Sequence, residues 1–405
     1  MYPQQQASLE KGKGDFDLLS IESGWAKEWA ANGYTIPLLD LAKEVDAKGS
    51  QGMVHYLSQY YDALLNILSY NGQIHAVPYQ TYNMGTHYRK DLFTNPEEKK
   101  NYKEKYSAEL KPAETFDDLI KLAAFFTRKK GKRLAGEVLK EPFYGVALMA
   151  GHKPHINDEF SAILWGLGGH WFKPVYEKEK AKGIKGFQVT VDSQEAKKAA
   201  EIYKELLKYA PPEATRGWTF LESANALADG KVAMWPFAYN NLWSWSAKVE
   251  QNIKGAKIGV AQVPNKRPYT GAYAFGVAYD SKNTEAAYWF LKYIGSYEGQ
   301  KTYALSGGNP CRKDVATDSE FSQEKFRLSN GQQKANHESL EDWGKHVNEY
   351  GHFTRAAMGK IYPELMNTAY SIATEGKPEK ELEKLGKTIK VLQNKYGEKP
   401  TIEKN

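Results

Sequence analysis

Residues 231–245, KVAMWPFAYNNLWSW, decide how this chain reads. Val232, Ala233 and Met234 open as a short apolar strand, and Pro236 is expected to end it. Phe237, Tyr239, Trp243 and Trp245 follow, with the amides Asn240 and Asn241 among them. Flat ring faces beside neutral hydrogen-bonding groups suit a guest with apolar C–H faces and many hydroxyls, which is the chemistry of a sugar. A quaternary amine would stack on the same rings. A core strand running into an aromatic-rich helix start fits the residues as well.

Outward from that segment, the bulk numbers set bounds. A chain of 405 residues exceeds one ordinary core and favours two domains or lobes. Hydrophobic residues at 41% and charged residues at 26% are those of a globular protein. Aromatics reach 13%, a surplus that hints at stacking surfaces. The formal charge of +6 is small for this length, and the basic runs at 99–105 and 178–185 are interleaved with Glu. Such runs read as solvated faces, and no nucleic-acid partner is expected. The single cysteine, Cys311, leaves no disulfide or Cys-based zinc site within the chain. No apolar run reaches membrane-spanning length, and the opening MYPQQQASLEKGKG lacks the basic start and apolar core of a signal peptide.

Strands alternate with helices along the chain. Residues 15–21 read as a buried parallel strand, 26–31 as a helix start, 60–68 as an amphipathic helix, and 73–78 and 84–89 as strands. Thr115 begins a helix over 116–126, with Asp118 completing a short capping box. A strand at 144–148, a helix at 158–165 and helices at 194–207 and 220–228 follow. Strands at 257–263 and 272–278 and helices at 284–294 and 297–305 come next, then a helical tail at 321–328, 356–373 (kinked at Pro363) and 381–396. This order predicts an α/β architecture with a helical cap on one lobe. The charged stretches 95–111 and 176–186 are the most linker-like.

Catalytic signatures are missing. There is no phosphate-binding glycine loop, no His-Glu-x-x-His and no Gly-x-Ser-x-Gly. His152 and His155, with Asp158 and Glu159 beyond, lack a third well-spaced ligand, and hydrogen-bonding histidines are the simpler reading. Glu22 and Asp158 are the nearest carboxylates to the aromatic loops, neither in a telling context for glycoside hydrolysis. The residues suggest gripping a sugar without cleaving it, with no metal and no cofactor.

The order of motifs resembles family 1 extracellular solute-binding proteins of ABC importers. The resemblance rests on GDFDLLS at 14–20 with Gly24-Trp25 and Trp29-Ala30, NGQIHAVP at 71–78, and YRKDLF at 88–93. It continues through TFDD at 115–118, WGLGG at 165–169, LADGKVAM at 227–234, SKN at 281–283 and SGGNP at 306–310. It implies two α/β lobes of the maltose-binding-protein type, a type II periplasmic-binding-protein-like fold with a helical C-terminal region. The expected lobes are 1–86 plus 264–305, and 87–263 plus 306–405. A sugar would be held in the interlobe cleft, and closure would present the protein, a monomer, to ABC permease subunits on the outer side of the membrane.

The same resemblance places the cleft on loops after strands: Trp25, Tyr79, Gln80, Tyr82, His155, Tyr239, Asn240, Trp243, Gly271, Tyr273, Gly308, Asn309 and Arg312. A carbohydrate-active enzyme using the same rings stays open as an alternative. So does a same-fold binder of another solute, such as a polyol phosphate or an amine, which Arg312 or a ring of carboxylates in the cleft would favour. Relatives carry a first strand and helix before the sequence resembling Met1-Tyr2-Pro3, and here these are expected to be missing, with the helix at 4–12 short and the N-terminal lobe opened at that point.

Overall fold

The structure is a computed structural model, and it describes residues 2–176, 184–343 and 358–395. The strands of its two larger sheets are labelled in chain order. They are β1 (Leu18–Glu22), β2 (Val77–Thr81), β3 (Met84–Arg89), β4 (Tyr144–Val146), β5 (Val232–Tyr239), β6 (Ile258–Ala261) and β7 (Ala272–Val277).

The first sheet has the order β1-β7-β2, with β7 antiparallel to both neighbours. The strand expected at 15–21 as parallel therefore pairs antiparallel, Leu18 opposite Val277 and Glu22 opposite Tyr273. The second sheet has the order β6-β3-β5-β4, in which only β5 and β4 are parallel. The chain crosses between the sheets at Tyr82-Asn83, where β2 gives way to β3, and again between β6 and β7. Neither crossing is a long tether: the first continues a strand directly, and the second is the ten residues 262–271, which include the tight turn Pro264–Lys266. This is the two-lobed type II binding fold.

Local chemistry explains the helices. Thr115 accepts the Asp118 N–H while the Asp118 carboxylate accepts the Thr115 N–H, and the helix Phe116–Phe126 starts there. Thr219 and Glu222 repeat the device for Phe220–Ala228, and Ser193 caps Gln194–Leu207. All three helices fall where their apolar period places them. Met358–Thr374 carries Pro363 inside it and packs, with Pro378–Lys395, against Gln194–Leu207.

Four further expectations change. Pro236 does not end the strand: β5 runs on to Tyr239, and its register against β3 shifts between Trp235 and Ala238. A bulge accommodates a residue that has no N–H to give the ladder, and the Pro236 carbonyl accepts the Thr86 hydroxyl. The linker-like stretch at 95–111 contains a helix, Pro96–Tyr106, because Asn95 caps two N–H groups and Pro96 suits the first turn. Residues 319–326 form two short tight turns, and the long helix is Arg327–Trp343. Strand residues 184–189 pair with Phe172–Tyr176, while 177–183, in the other linker-like stretch, lie outside the described residues.

Cys311 and Arg312 sit with the first lobe. The backbone of Arg312 bridges Tyr60, and Lys313–Ala316 packs on the helix Tyr297–Leu305. The helix Arg327–Trp343 then touches both β6 and the helix Asp62–Ile67, so it spans the two sheets' surroundings.

Candidate functional site

A cavity of about 600 Å³ opens where the two sheets meet. From the first lobe come Glu22, Gly24, Trp25, Gln80 and Tyr273, with Tyr2 beside Trp25. Pro154, His155, Asp158, Phe220, Tyr239, Asn241, Leu242, Tyr362 and Pro363 come from the second. Tyr82 and Tyr269 line it from the two crossing segments. The reason is topological: β1 and β5 both end at the cavity, delivering Glu22 and Tyr239, and the helix His155–Gly166 begins there.

Rings contact one another in two groups along the lining. Tyr82 meets Tyr239 edge-on at 5.8 Å, lies parallel to Tyr269 at 6.1 Å and leans on Tyr273 at 5.4 Å. Trp25 contacts Tyr2 at 5.1 Å, and His155 meets Phe220 edge-on at 5.1 Å. Stacked and tilted rings of this kind hold one another in place, so their exposed faces are preorganised for a guest.

Two carboxylates sit inside the wall. The Tyr82 hydroxyl donates to Glu22, which also accepts the Gly24 N–H at 3.3 Å. Asp158 accepts the Tyr239 hydroxyl at 2.5 Å on Oδ2 and the Tyr362 hydroxyl on Oδ1. Burial pushes Asp158 up to about 7 against the pull of those two donors, and the charge on Glu22 adds to the rise. Burial also raises Glu22, partly offset by the Tyr82 hydrogen bond. His155 is held down to about 4 by burial, so it is neutral near pH 7. Its Nδ1 lies 3.2 Å from the Tyr239 oxygen. With the Tyr239 hydroxyl donating to Asp158, the tautomer of His155 that carries its proton on Nδ1 can donate to the same oxygen.

Of the residues expected at the cleft, Trp25, Gln80, Tyr82, His155, Tyr239 and Tyr273 line this cavity together. The others stand elsewhere. Tyr79 alternates with Gln80 on β2, so its ring turns away and stacks on Phe275 at 4.6 Å. Asn240 is buried against Gly85 and His87, beneath the cavity, and its neighbour Asn241 takes the lining position. The Trp243 indole donates to the Gly307 carbonyl at 3.2 Å. Gly271 backs the Tyr82 ring: a Cβ there would fall 2.1 Å from Tyr82 Cζ. Gly308 backs Tyr303 in the same way. Asn309 is wholly buried, donating to the Thr81 carbonyl at 3.1 Å and to Asn336 at 3.2 Å. Arg312 pairs with Asp314 at 2.7 Å and lies over the Tyr56 and Tyr60 rings. His152 bonds Asn367 at 2.8 Å, and Glu159 turns to the Met149 N–H and the Tyr203 hydroxyl, so these two do not join His155 around one point.

Tyr2, Phe220, Tyr269, Tyr362 and the role of both carboxylates escaped the sequence reading. A signal existed for Asp158: two adjacent acids, Asp158 and Glu159, open a helix whose later turns are mostly apolar, Phe160, Ala162, Ile163, Leu164 and Trp165.

Two lobes joined by crossing strands around an aromatic cavity define a solute-binding fold. The family model for bacterial extracellular solute-binding proteins matches residues 2–327, and the chain belongs to that family. Among solved structures, the chain is similar to a ribitol complex of an ABC transporter solute-binding protein from Agrobacterium radiobacter, at TM-score 0.72 and 21% identity, covering 96% of this chain and 88% of that one. Maltose-bound MalE3 of T. maritima is similar at TM-score 0.68 and 21% identity, with the same 96% and 88% coverage. A D-mannitol complex from Agrobacterium vitis is similar at TM-score 0.68 and 20% identity, covering 98% and 89%. These likenesses establish the fold. A curated relative, a probable amino-acid ABC transporter periplasmic-binding protein of Sinorhizobium fredii, is 24% identical over 181 residues, 44% of this chain. The match spans 38% of that relative's own length. Among the described residues no helix is long and apolar enough to cross a membrane.

Proposed function

We propose that this chain is the substrate-binding component of an ABC importer that takes a polyhydroxylated solute, a sugar or sugar alcohol, in the cavity between its lobes. The observation that carries the reading is the shared cavity: Trp25 and Tyr273 of one lobe line it together with Tyr239 and Phe220 of the other, with Tyr82 at the crossing. Ring faces match sugar C–H surfaces, and Gln80, Asn241 and the carboxylates supply hydrogen-bonding partners for hydroxyls. The relatives that hold ribitol, mannitol and maltose support the same class of guest. An amino acid, which the curated relative's name suggests, fits less well. Its α-carboxylate calls for an Arg or Lys, and none lines the cavity among the described residues.

The lobes are taken as 1–86 plus 264–305 and 87–263 plus 306–405, with the contacts of 312–316 joining that short stretch to the first. Closure about the segments that cross between the lobes would remove water from the hydrogen bonds and bring both walls onto the guest. The closed monomer would then dock on permease subunits outside the cytoplasm, with no bond made or broken. Titration calorimetry against a panel of sugars and sugar alcohols tests this. Saturable binding without product formation is expected; heat from none of them, or steady release of a cleavage product, would refute it.

A further inference from the structure

A neutral guest accounts for the rings but leaves the charge of the cavity unexplained. Glu22 enters from the first lobe and Asp158 from the second, and both face the same space. Tyr82, Tyr239 and Tyr362 give these carboxylates hydrogen bonds but no positive charge. Among the described lining residues there is no Lys or Arg, and His155 is neutral. Arg312, the cation expected at the cleft, is committed to Asp314 outside the cavity. Two buried carboxylates without a counter-charge among the described residues are costly, and an incoming cation lowers that cost.

We propose that the solute carries a protonated amine, as an amino sugar or amino polyol, and that its ammonium group sits between Glu22 and Asp158 while its C–H faces stack on the rings of Tyr82 and Tyr239. The inference rests on the cavity being the solute site proposed above. Ammonium-to-carboxylate hydrogen bonds are charge-assisted, about twice as strong as neutral ones. The surrounding ring faces favour a cation further. Burial, with the Glu22 charge adding to it, holds Asp158 up to about 7, and an ammonium group beside it would draw it back to the charged form. Anionic sugars, such as uronates and sugar phosphates, would meet two carboxyl groups and no described cation.

The experiment compares glucosamine and its β-1,4-linked dimer with glucose, cellobiose and glucuronic acid by calorimetry on the full chain. The amines are expected to bind about tenfold or more tighter than their hydroxyl counterparts, with glucuronic acid weakest. The amine-to-hydroxyl affinity ratio should fall toward one in Glu22→Gln and Asp158→Asn. On the unmodified protein, raising NaCl to about 0.5 M should weaken the amines more than the neutral sugars. This arm stands even if a variant does not fold. Equal affinities for amine and neutral sugar, with no difference in salt dependence, would overturn the amine assignment and leave the sugar site standing. No binding by any of the five would overturn the amine assignment, and no binding by the wider panel of sugars and sugar alcohols would overturn the site itself.

Discussion

Residues 239–242 and 306–312 look alike in sequence: each follows a regular element and carries amides or small polar residues suited to a ligand. The structure treats them oppositely. The first puts Tyr239, Asn241 and Leu242 on the cavity, and none of residues 306–312 reaches it. The difference lies in what each polar group meets. Asn309 and Arg312 find partners inside the protein, Thr81 and Asn336 for one and Asp314 for the other. The Tyr239 hydroxyl also finds partners, but its ring still faces open space. A polar residue after a strand is thus a site candidate only if its neighbours leave a face uncovered.

The sharpest way to break this contrast is Tyr239→Ala. It removes a ring from the wall and a donor from Asp158, and we expect a loss of roughly 2–4 kcal/mol of binding, about 30- to 1,000-fold in Kd. Calorimetry with the best sugar or amino sugar reads it directly. Arg312→Ala should do the reverse. Its loss strands Asp314 and uncovers Tyr56 and Tyr60, so stability should drop by about 2–3 kcal/mol in urea unfolding while Kd stays within about threefold.

Asp158 supplies a pH test. Its carboxyl, ordinarily near 3.8, is held up to about 7 in the folded chain. The folded state therefore binds that proton more tightly than the unfolded state. The resulting stability is full below about pH 4 and is lost as the pH rises through 7. His155, held down to about 4, acts in the opposite sense as the pH falls from 6.5. Asp158→Asn isolates the first effect: the ligand-free variant should exceed the parent by about 1–3 kcal/mol at pH 8, with the gain vanishing near pH 4. Melting curves at the two pH values decide it.

The smallest effect is expected at Gly271→Ala. A methyl group there collides with the Tyr82 ring and must push it into the cavity, so affinity should fall by about 1 kcal/mol, roughly fivefold, although residue 271 does not line the cavity. An unchanged Kd would mean that the Tyr82 ring position does not matter to the guest.

Much of the fold was legible because local chemistry fixes it. The cap at Thr115 marks one helix start, and the apolar period marks the helices at 194–207 and 220–228, whose caps Ser193 and Thr219 the structure adds. Pro236 misled because its effect depends on β3, a partner strand far away in sequence that tolerates a bulge. The helix at 96–106 hid behind its charge, since an exposed helix needs little apolar residue content. The site was half legible. Trp25, Tyr82 and Tyr239 stand out beside strand ends, but Tyr362 comes from a helix more than a hundred residues beyond Tyr239, and nothing local says which face of that helix meets Asp158. Alternation on β2 could have separated Gln80 from Tyr79, since neighbouring strand residues point to opposite faces.

A crystal structure of the chain grown with its tightest-binding sugar or amino sugar tests the central claim most directly. The account predicts the guest between Trp25 and Tyr239, touching side chains from both lobes, with Glu22 and Asp158 within hydrogen-bonding distance of its polar groups. A guest seated on one lobe alone, or outside this cavity, would contradict it.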